Sequence, residues 1–289
     1  MSFSETGSPA NTDVTPLMPV KQLEQLLYSP DVLLIDTRFK LEDPAYGRAA
    51  YEQSHLPLAR FLDLNEDLSS VVVPGETGRH PLPDPDVLEA RLRELGLHAK
   101  DHVVIYDDGP GFYAARLWWL LHWLGHKRVS VLDGGLAAWN KAGLPLTEEV
   151  NVRLWPGSFV AQLQPGMLAT AAELMTPEGL QVLDARAPER FRGEMEPIDP
   201  VAGHIPGALC LPCAANLGPD GLWLSAEQLR ERFPALSPGQ SRVSYCGSGV
   251  TACHNILAAV VAGLPMPRLY AGSWSEWITD PSRPVATGA

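Results

Sequence analysis

QVLDARA, Gln181 to Ala187, has a twin in LLIDTRF, Leu33 to Phe39. Each is an apolar run that closes on Asp-x-Arg, as a buried strand does where it meets a polar turn. Three more pairs follow in the same order. SHLPLA at Ser54 to Ala59 answers GHIPGA at Gly203 to Ala208, and VVIYDDG at Val103 to Gly109 answers RVSYCGS at Arg242 to Ser248. DGGLAAW at Asp133 to Trp139 answers AGSWSEW at Ala271 to Trp277. The separation between partners is nearly constant and shortens once, so the chain is written twice.

A length of 289 residues suits two domains, each able to bury a core. Within the first copy, Val32 to Ile35, Val103 to Tyr106 and Val129 to Leu132 predict strands, and Pro85 to Leu95 and Tyr113 to Leu124 predict helices. Alternating strands and helices predict an α/β architecture of two tandem domains, each a mostly parallel sheet flanked by helices. The expected division is a flexible polar tail over 1–16, a first domain over 17–150, a linker over 151–165 and a second domain over 166–289. The linker stretch has no counterpart in the repeat and holds two prolines and a glycine between Asn151 and Pro165.

Twenty-two basic residues against thirty-four acidic ones leave a net charge of −12, which repels nucleic acid and anionic membranes. A small anionic ligand needs only a local positive pocket. The start of the chain lacks a basic segment followed by an apolar core, and no apolar run approaches membrane-spanning length. Four cysteines are too few for a disulfide scaffold, so free thiols in a reducing cytoplasm are expected.

CGSGVTA, Cys246 to Ala252, follows the strand-like Arg242 to Tyr245 and enters an apolar helix read as His254 to Ala262. A strand, a glycine-bearing loop and a helix start aim backbone N–H groups and the positive helix end at one point. A thiol there is drawn toward thiolate. Gly247 and Gly249 allow the curvature and leave room for a second sulfur atom. The plain alternative, a core cysteine ending a strand, is the usual fate of a free Cys, but the loop argues against it. Cys210 and Cys213 lack the second pair or the histidine spacing of a zinc site, and Cys253 is expected in the core.

These residues resemble the rhodanese superfamily in its tandem form, the thiosulfate and 3-mercaptopyruvate sulfurtransferases, over about Pro19 to Val285. CGSGVTA is similar to the loop of the mercaptopyruvate branch, whereas basic residues follow the cysteine in the thiosulfate branch. The resemblance implies a nucleophile at Cys246, with Asp107 at the matching position of an inactive first domain. Asp184, Arg186 and His204 recur as Asp36, Arg38 and His55 and are read as structural. Arg190, Ser248 and Thr251 face Glu42, Gly109 and Phe112, so they differ along with the cysteine.

The same resemblance makes Arg190 the carboxylate-binding arginine, with Gly247, Gly249, Val250 and Thr251 as the walls of the donor site. The family's second carboxylate arginine follows a Glu-Pro pair, and EPIDP places Ile198 and Asp199 there instead. GRHPLP, Gly78 to Pro83, is similar to the element that brings a first-domain histidine to the loop serine, which nominates His80 beside Ser248. The resemblance places its acid partner near FLDLNED, where the best-aligned position is Asn65, with Asp63 and Asp67 nearby. The implied chemistry passes sulfur from a small anionic donor through a Cys246 persulfide to a thiol, such as that of thioredoxin, or to cyanide, with no metal or organic cofactor. Three rivals stand beside it. They are thiosulfate:cyanide transfer, a non-catalytic sulfur carrier, and a related phosphatase chemistry whose Cys-x5-Arg signature fails here because Ala252 is the sixth residue after Cys246.

Overall fold

The computed structural model describes residues 14–150 and 155–289. One sheet contains β1 (Leu17–Met18), β2 (Val32–Asp36), β3 (Arg60–Phe61), β4 (His102–Tyr106) and β5 (Val129–Leu132), in the order β1-β5-β4-β2-β3. The other contains β6 (Leu180–Asp184), β7 (Leu209–Cys210), β8 (Ser241–Tyr245) and β9 (Arg268–Leu269), in the order β7-β6-β8-β9. Every pairing between these strands is parallel. The central strands β2, β4, β6 and β8 are buried over all but their first residue because helices cover both faces.

The duplication holds to the level of single contacts. Asp36 sits opposite Tyr106, and Asp184 opposite Tyr245. Arg38 Nε donates to both carboxylate oxygens of Asp36, and Arg186 does the same to Asp184. Nη2 of each arginine contacts the aspartate as well and donates to a carbonyl of the next loop, Ser54 or Gly203. His55 and His204 each stack on an aromatic ring, Tyr51 or Phe191, and bond its carbonyl through Nδ1. A buried ion pair holds its place only when its remaining polar valences are also met, as here. These six residues are therefore framework, present alike in both halves.

Five helices matter for the site: α1 (Pro85–Glu94), α2 (Phe112–Trp123), α3 (Pro188–Arg192), α4 (Thr251–Val261) and α5 (Ser273–Trp277). Asp84 caps α1 by accepting from Asp86 and Val87. Helices α2 and α4, each following its copy of the loop, pack against one another, and one apolar core runs through both halves. The domain interface is thus built on the two loop-bearing helices.

The expected tail needs correction. Residues 1–13 of the expected tail lie outside the described residues, but its end is already part of the fold: Val131 N donates to Pro16 O at 2.9 Å and Ser130 Oγ to Thr15 O at 2.5 Å. Of the expected linker, 151–154 lie outside the described residues. The remainder runs as a strap along the first half. Gly157 N donates to Arg93 O, Phe159 N to Leu97 O and Gln162 N to Leu124 O, while Phe159 is buried in the core. Backbone groups that find acceptors and a buried aromatic ring hold a segment that proline and glycine alone would suggest is loose.

Candidate active site

Cys246 follows β8 directly, and its thiol is turned into the loop that leads to α4. Its Sγ accepts from Gly249 N at 3.1 Å and from Ser248 N at 3.5 Å. Gly249 adopts φ +77°, and a Cβ there would run into the Ala271 carbonyl, so both conformation and space require glycine. Helix α4 begins at Thr251, three residues earlier than its apolar pattern predicts, because the turn at Gly249 delivers the chain straight into helical geometry. Val250 and Thr251 consequently lie at the helix entrance and line the same cavity as the sulfur.

Helix α5 braces the loop backbone. Ser273, buried at φ +54°, accepts from Cys246 N through Oγ at 3.1 Å and donates to Tyr270 O at 2.9 Å. Trp274 N and Ser275 N bond the carbonyls of Cys246 and Gly247, both at 2.9 Å. A non-glycine residue at positive φ persists only where its surroundings over-determine it. Ser273 was missed in the sequence because its role depends on a backbone angle. The AGSWSEW repeat was its one visible signal.

Of the four cysteines, Cys246 is the one that lines this cavity. Cys213 and Cys253 are buried, and burial pushes each thiol up to about 12. Cys253 Sγ donates to Gly249 O at 3.3 Å, which supports the loop from beneath. Cys210 is half-buried on β7 and also raised by burial. Among the described residues, no three His, Cys, Asp or Glu side chains converge as a metal site would require.

The first half supplies the facing side. His80 Nδ1 lies 2.8 Å from Ser248 Oγ, with both side chains buried. Burial, then the charges of Arg116 and Arg79, lower His80 to about 3, so the imidazole is neutral at neutral pH. The expected acid partner is absent. Asp63 Oδ1 accepts from the backbone of Asn65 and Glu66, while Asp67 accepts from Asp63 N and pairs with Arg91. These carboxylates fold their own turn, and among the described residues none bonds His80.

Arg116, fully buried on α2, donates to Gly249 O at 3.1 Å and to the carbonyls of His80, Pro81 and Leu68 at 3.2–3.4 Å. It ties the histidine segment to the cysteine loop across the domain boundary. Its signal, one arginine in the apolar stretch AARLWWLL, stood in the sequence without a partner to explain it.

Arg190 projects from α3, but not as a bare cation. It donates to Glu196 at 2.7–3.0 Å and to Asp199 Oδ2 at 3.0 Å. A second guanidinium that sequence reasoning missed stands opposite. Arg79 pairs with Asp199 Oδ1, and a Cβ placed on Gly247 would lie 2.7 Å from Arg79 Nη2 and 3.6 Å from Arg190 Nη1. The loop sequence alone had suggested no cation beside the nucleophile, whereas one reaches it from the neighbour of His80. The sulfur, Arg79, Arg190, Ser248 and His80 enclose a cavity of about 140 Å³. A larger cleft of about 620 Å³ beside Asp133 and Leu222 holds no nucleophile and is not the site.

The rhodanese-like domain family matches residues 19–142 and again 167–280. The chain belongs to the rhodanese family. A Pseudomonas aeruginosa relative named probable 3-mercaptopyruvate sulfurtransferase is 58% identical over 280 residues, covering 94% of this chain and 98% of its own. The thiosulfate sulfurtransferase of Rattus norvegicus is 35% identical, covering 86% and 85%. SseA of Escherichia coli, a solved structure described with the 3-mercaptopyruvate sulfotransferases, is similar at TM-score 0.78 and 33% identity, covering 91% of this chain and all of SseA. This rhodanese thus carries both copies of the domain, with the cavity between them.

Proposed function

We propose that this sulfurtransferase takes its sulfur from 3-mercaptopyruvate, holds it as a persulfide on Cys246, and delivers it to a thiol or to cyanide. The observation that carries the reading is the pair of backbone N–H groups on Cys246 Sγ, inside a cavity that also presents two guanidinium groups. The mercaptopyruvate names borne by the Pseudomonas aeruginosa and Escherichia coli relatives support the donor.

The Cys246 thiolate attacks the donor sulfur. An S–S bond forms, the donor's C–S bond breaks, and its electron pair leaves as pyruvate enolate, which takes a proton to become pyruvate. Arg190 and Arg79 hold the donor carboxylate. A neutral His80 carrying its hydrogen on Nδ1 donates to Ser248 Oγ and turns the serine hydroxyl hydrogen toward the enolate, solvent replacing the proton. In the second half-reaction an acceptor thiolate attacks the outer sulfur and restores Cys246. The persulfide anion is held by the N–H groups of Ser248 and Gly249.

Four free cysteines suit a reducing cytoplasm, and no helix among the described residues is long and apolar enough to cross a membrane. The donor is tested by comparing kcat/KM for mercaptopyruvate and thiosulfate, and mercaptopyruvate is expected to be higher. Arg190→Ala should lower its turnover on the order of tenfold to a hundredfold, the equivalent of one charge-assisted contact. Better turnover with thiosulfate, or unchanged mercaptopyruvate kinetics in Arg190→Ala, would refute the donor.

A further inference from the structure

Arg79 and Arg190 come from different halves of the duplication and meet beside Gly247. Asp199 lies between them, with Oδ1 on Arg79 and Oδ2 on Arg190. A carboxylate bridging two guanidinium groups is the arrangement a bound donor carboxylate would itself take. The position of Asp199 is fixed locally, since its backbone N donates to Glu196 Oε1 at 3.1 Å and Pro200 follows.

Two cations, Arg79 and Arg190, are thus balanced by two anions, Glu196 and Asp199, and the cluster beside the nucleophile is neutral overall. The two carboxylates are nevertheless unlike. Glu196 takes three contacts from Arg190 and one from Arg186, and its carboxyl is lowered. Burial outweighs the attraction of Arg79 at Asp199, and its carboxyl is raised, so this charge is held at a cost. Among the three bridged side chains, Arg79 is the most open to water, at 27% against 14% for Arg190 and 3% for Asp199. Arg79 is therefore the arm best able to turn from Asp199 to an incoming anion.

We propose that Asp199 sets donor selectivity by cancelling one guanidinium charge at the mouth of the Cys246 loop. A donor with a single carboxylate set apart from its sulfur then needs to recruit only Arg79 and Arg190. A compact dianion meets the Asp199 charge at short range and is disfavoured. The inference rests on the mercaptopyruvate reading above and names the residue that enforces it.

Asp199→Asn keeps the shape and removes the charge. The ratio of kcat/KM for thiosulfate to that for mercaptopyruvate should rise about tenfold, mainly through the KM for thiosulfate. Asp199→Glu keeps the charge while changing the shape and should leave the ratio near its wild-type value, which a merely structural disturbance would not do. Asp199→Ser gives the same readout should the asparagine variant fold poorly. An unchanged ratio in folded Asp199→Asn, or a ratio in Asp199→Glu that rises as far as in Asp199→Asn, would overturn the inference. A wild-type preference for thiosulfate would instead sink the donor reading, because the inference is read as a change in ratio between variants.

Discussion

Asp107 in the first half stands where Cys246 stands in the second. Each follows a tyrosine that ends a central strand, Tyr106 or Tyr245. The Asp107 carboxylate takes the loop N–H groups of Gly109, Gly111, Tyr113 and Ala114 at 2.9–3.4 Å, much as the Cys246 sulfur takes those of Ser248 and Gly249. One copy of the loop is thus filled by its own buried anion, and the other surrounds a thiol. The fold itself makes an anion-holding turn at this place.

Removing the Asp107 carboxylate leaves four donors facing an empty turn. Asp107→Ala is expected to lose about 1–3 kcal/mol of stability in chemical denaturation. Turnover per folded molecule should be retained, because Asp107 does not touch the Cys246 cavity. Unchanged stability would mean that water satisfies this loop as well as the carboxylate does.

His80 gives a pH signature. Its folded value of about 3 lies below the ordinary 6.5 of histidine, so the unfolded chain binds a proton more readily than the folded one. The stability it contributes is complete above about pH 6.5 and is lost as pH falls toward about 3. His80→Asn should flatten part of that acid limb in a stability-versus-pH series. His102, His122, His126 and His254 are lowered by burial as well and retain the remainder. The kcat/KM profile should show no limb near pH 6.5 that His80→Asn removes, and such a limb would contradict a neutral His80.

Arg116 fastens the two halves at the site. Arg116→Met strips hydrogen bonds from four carbonyls and should cost roughly 3 kcal/mol of stability. It should also slow sulfur uptake, since both the His80 segment and the Cys246 loop lose the same tether. Arg116→Lys, which keeps the charge with fewer donors, should recover part of both losses. Sulfur uptake at the wild-type rate in Arg116→Met would show that the tether does not position the loop.

The strands β2, β4 and β6 were legible because they are buried and read as short apolar runs, β8 (SRVSY) was legible by its match to β4 in the repeat, and the doubling of Asp-x-Arg exposed that repeat. The Cys246 loop was legible because its chemistry is local: a strand, two glycines and a helix start. What escaped depends on contacts between distant residues. Arg79 and Asp199 are separated by 120 positions, and nothing in either neighbourhood announces that they pair. The acid expected behind His80 failed for the reverse reason, since Asp63 and Asp67 looked available until the structure showed their oxygens spent on their own turn and on Arg91. Phe159 likewise anchors the linker to the first half, a contact its prolines and glycine do not announce.

The central claim is that Cys246 alone carries the transferred sulfur. Incubating the protein with mercaptopyruvate and mapping the added mass of one sulfur atom by peptide mass spectrometry tests it most directly. The account predicts the persulfide on Cys246 in the wild-type protein, with neither persulfide nor turnover in Cys246→Ser. A persulfide on Cys210, Cys213 or Cys253 in a Cys246→Ser protein that still turns over would contradict it.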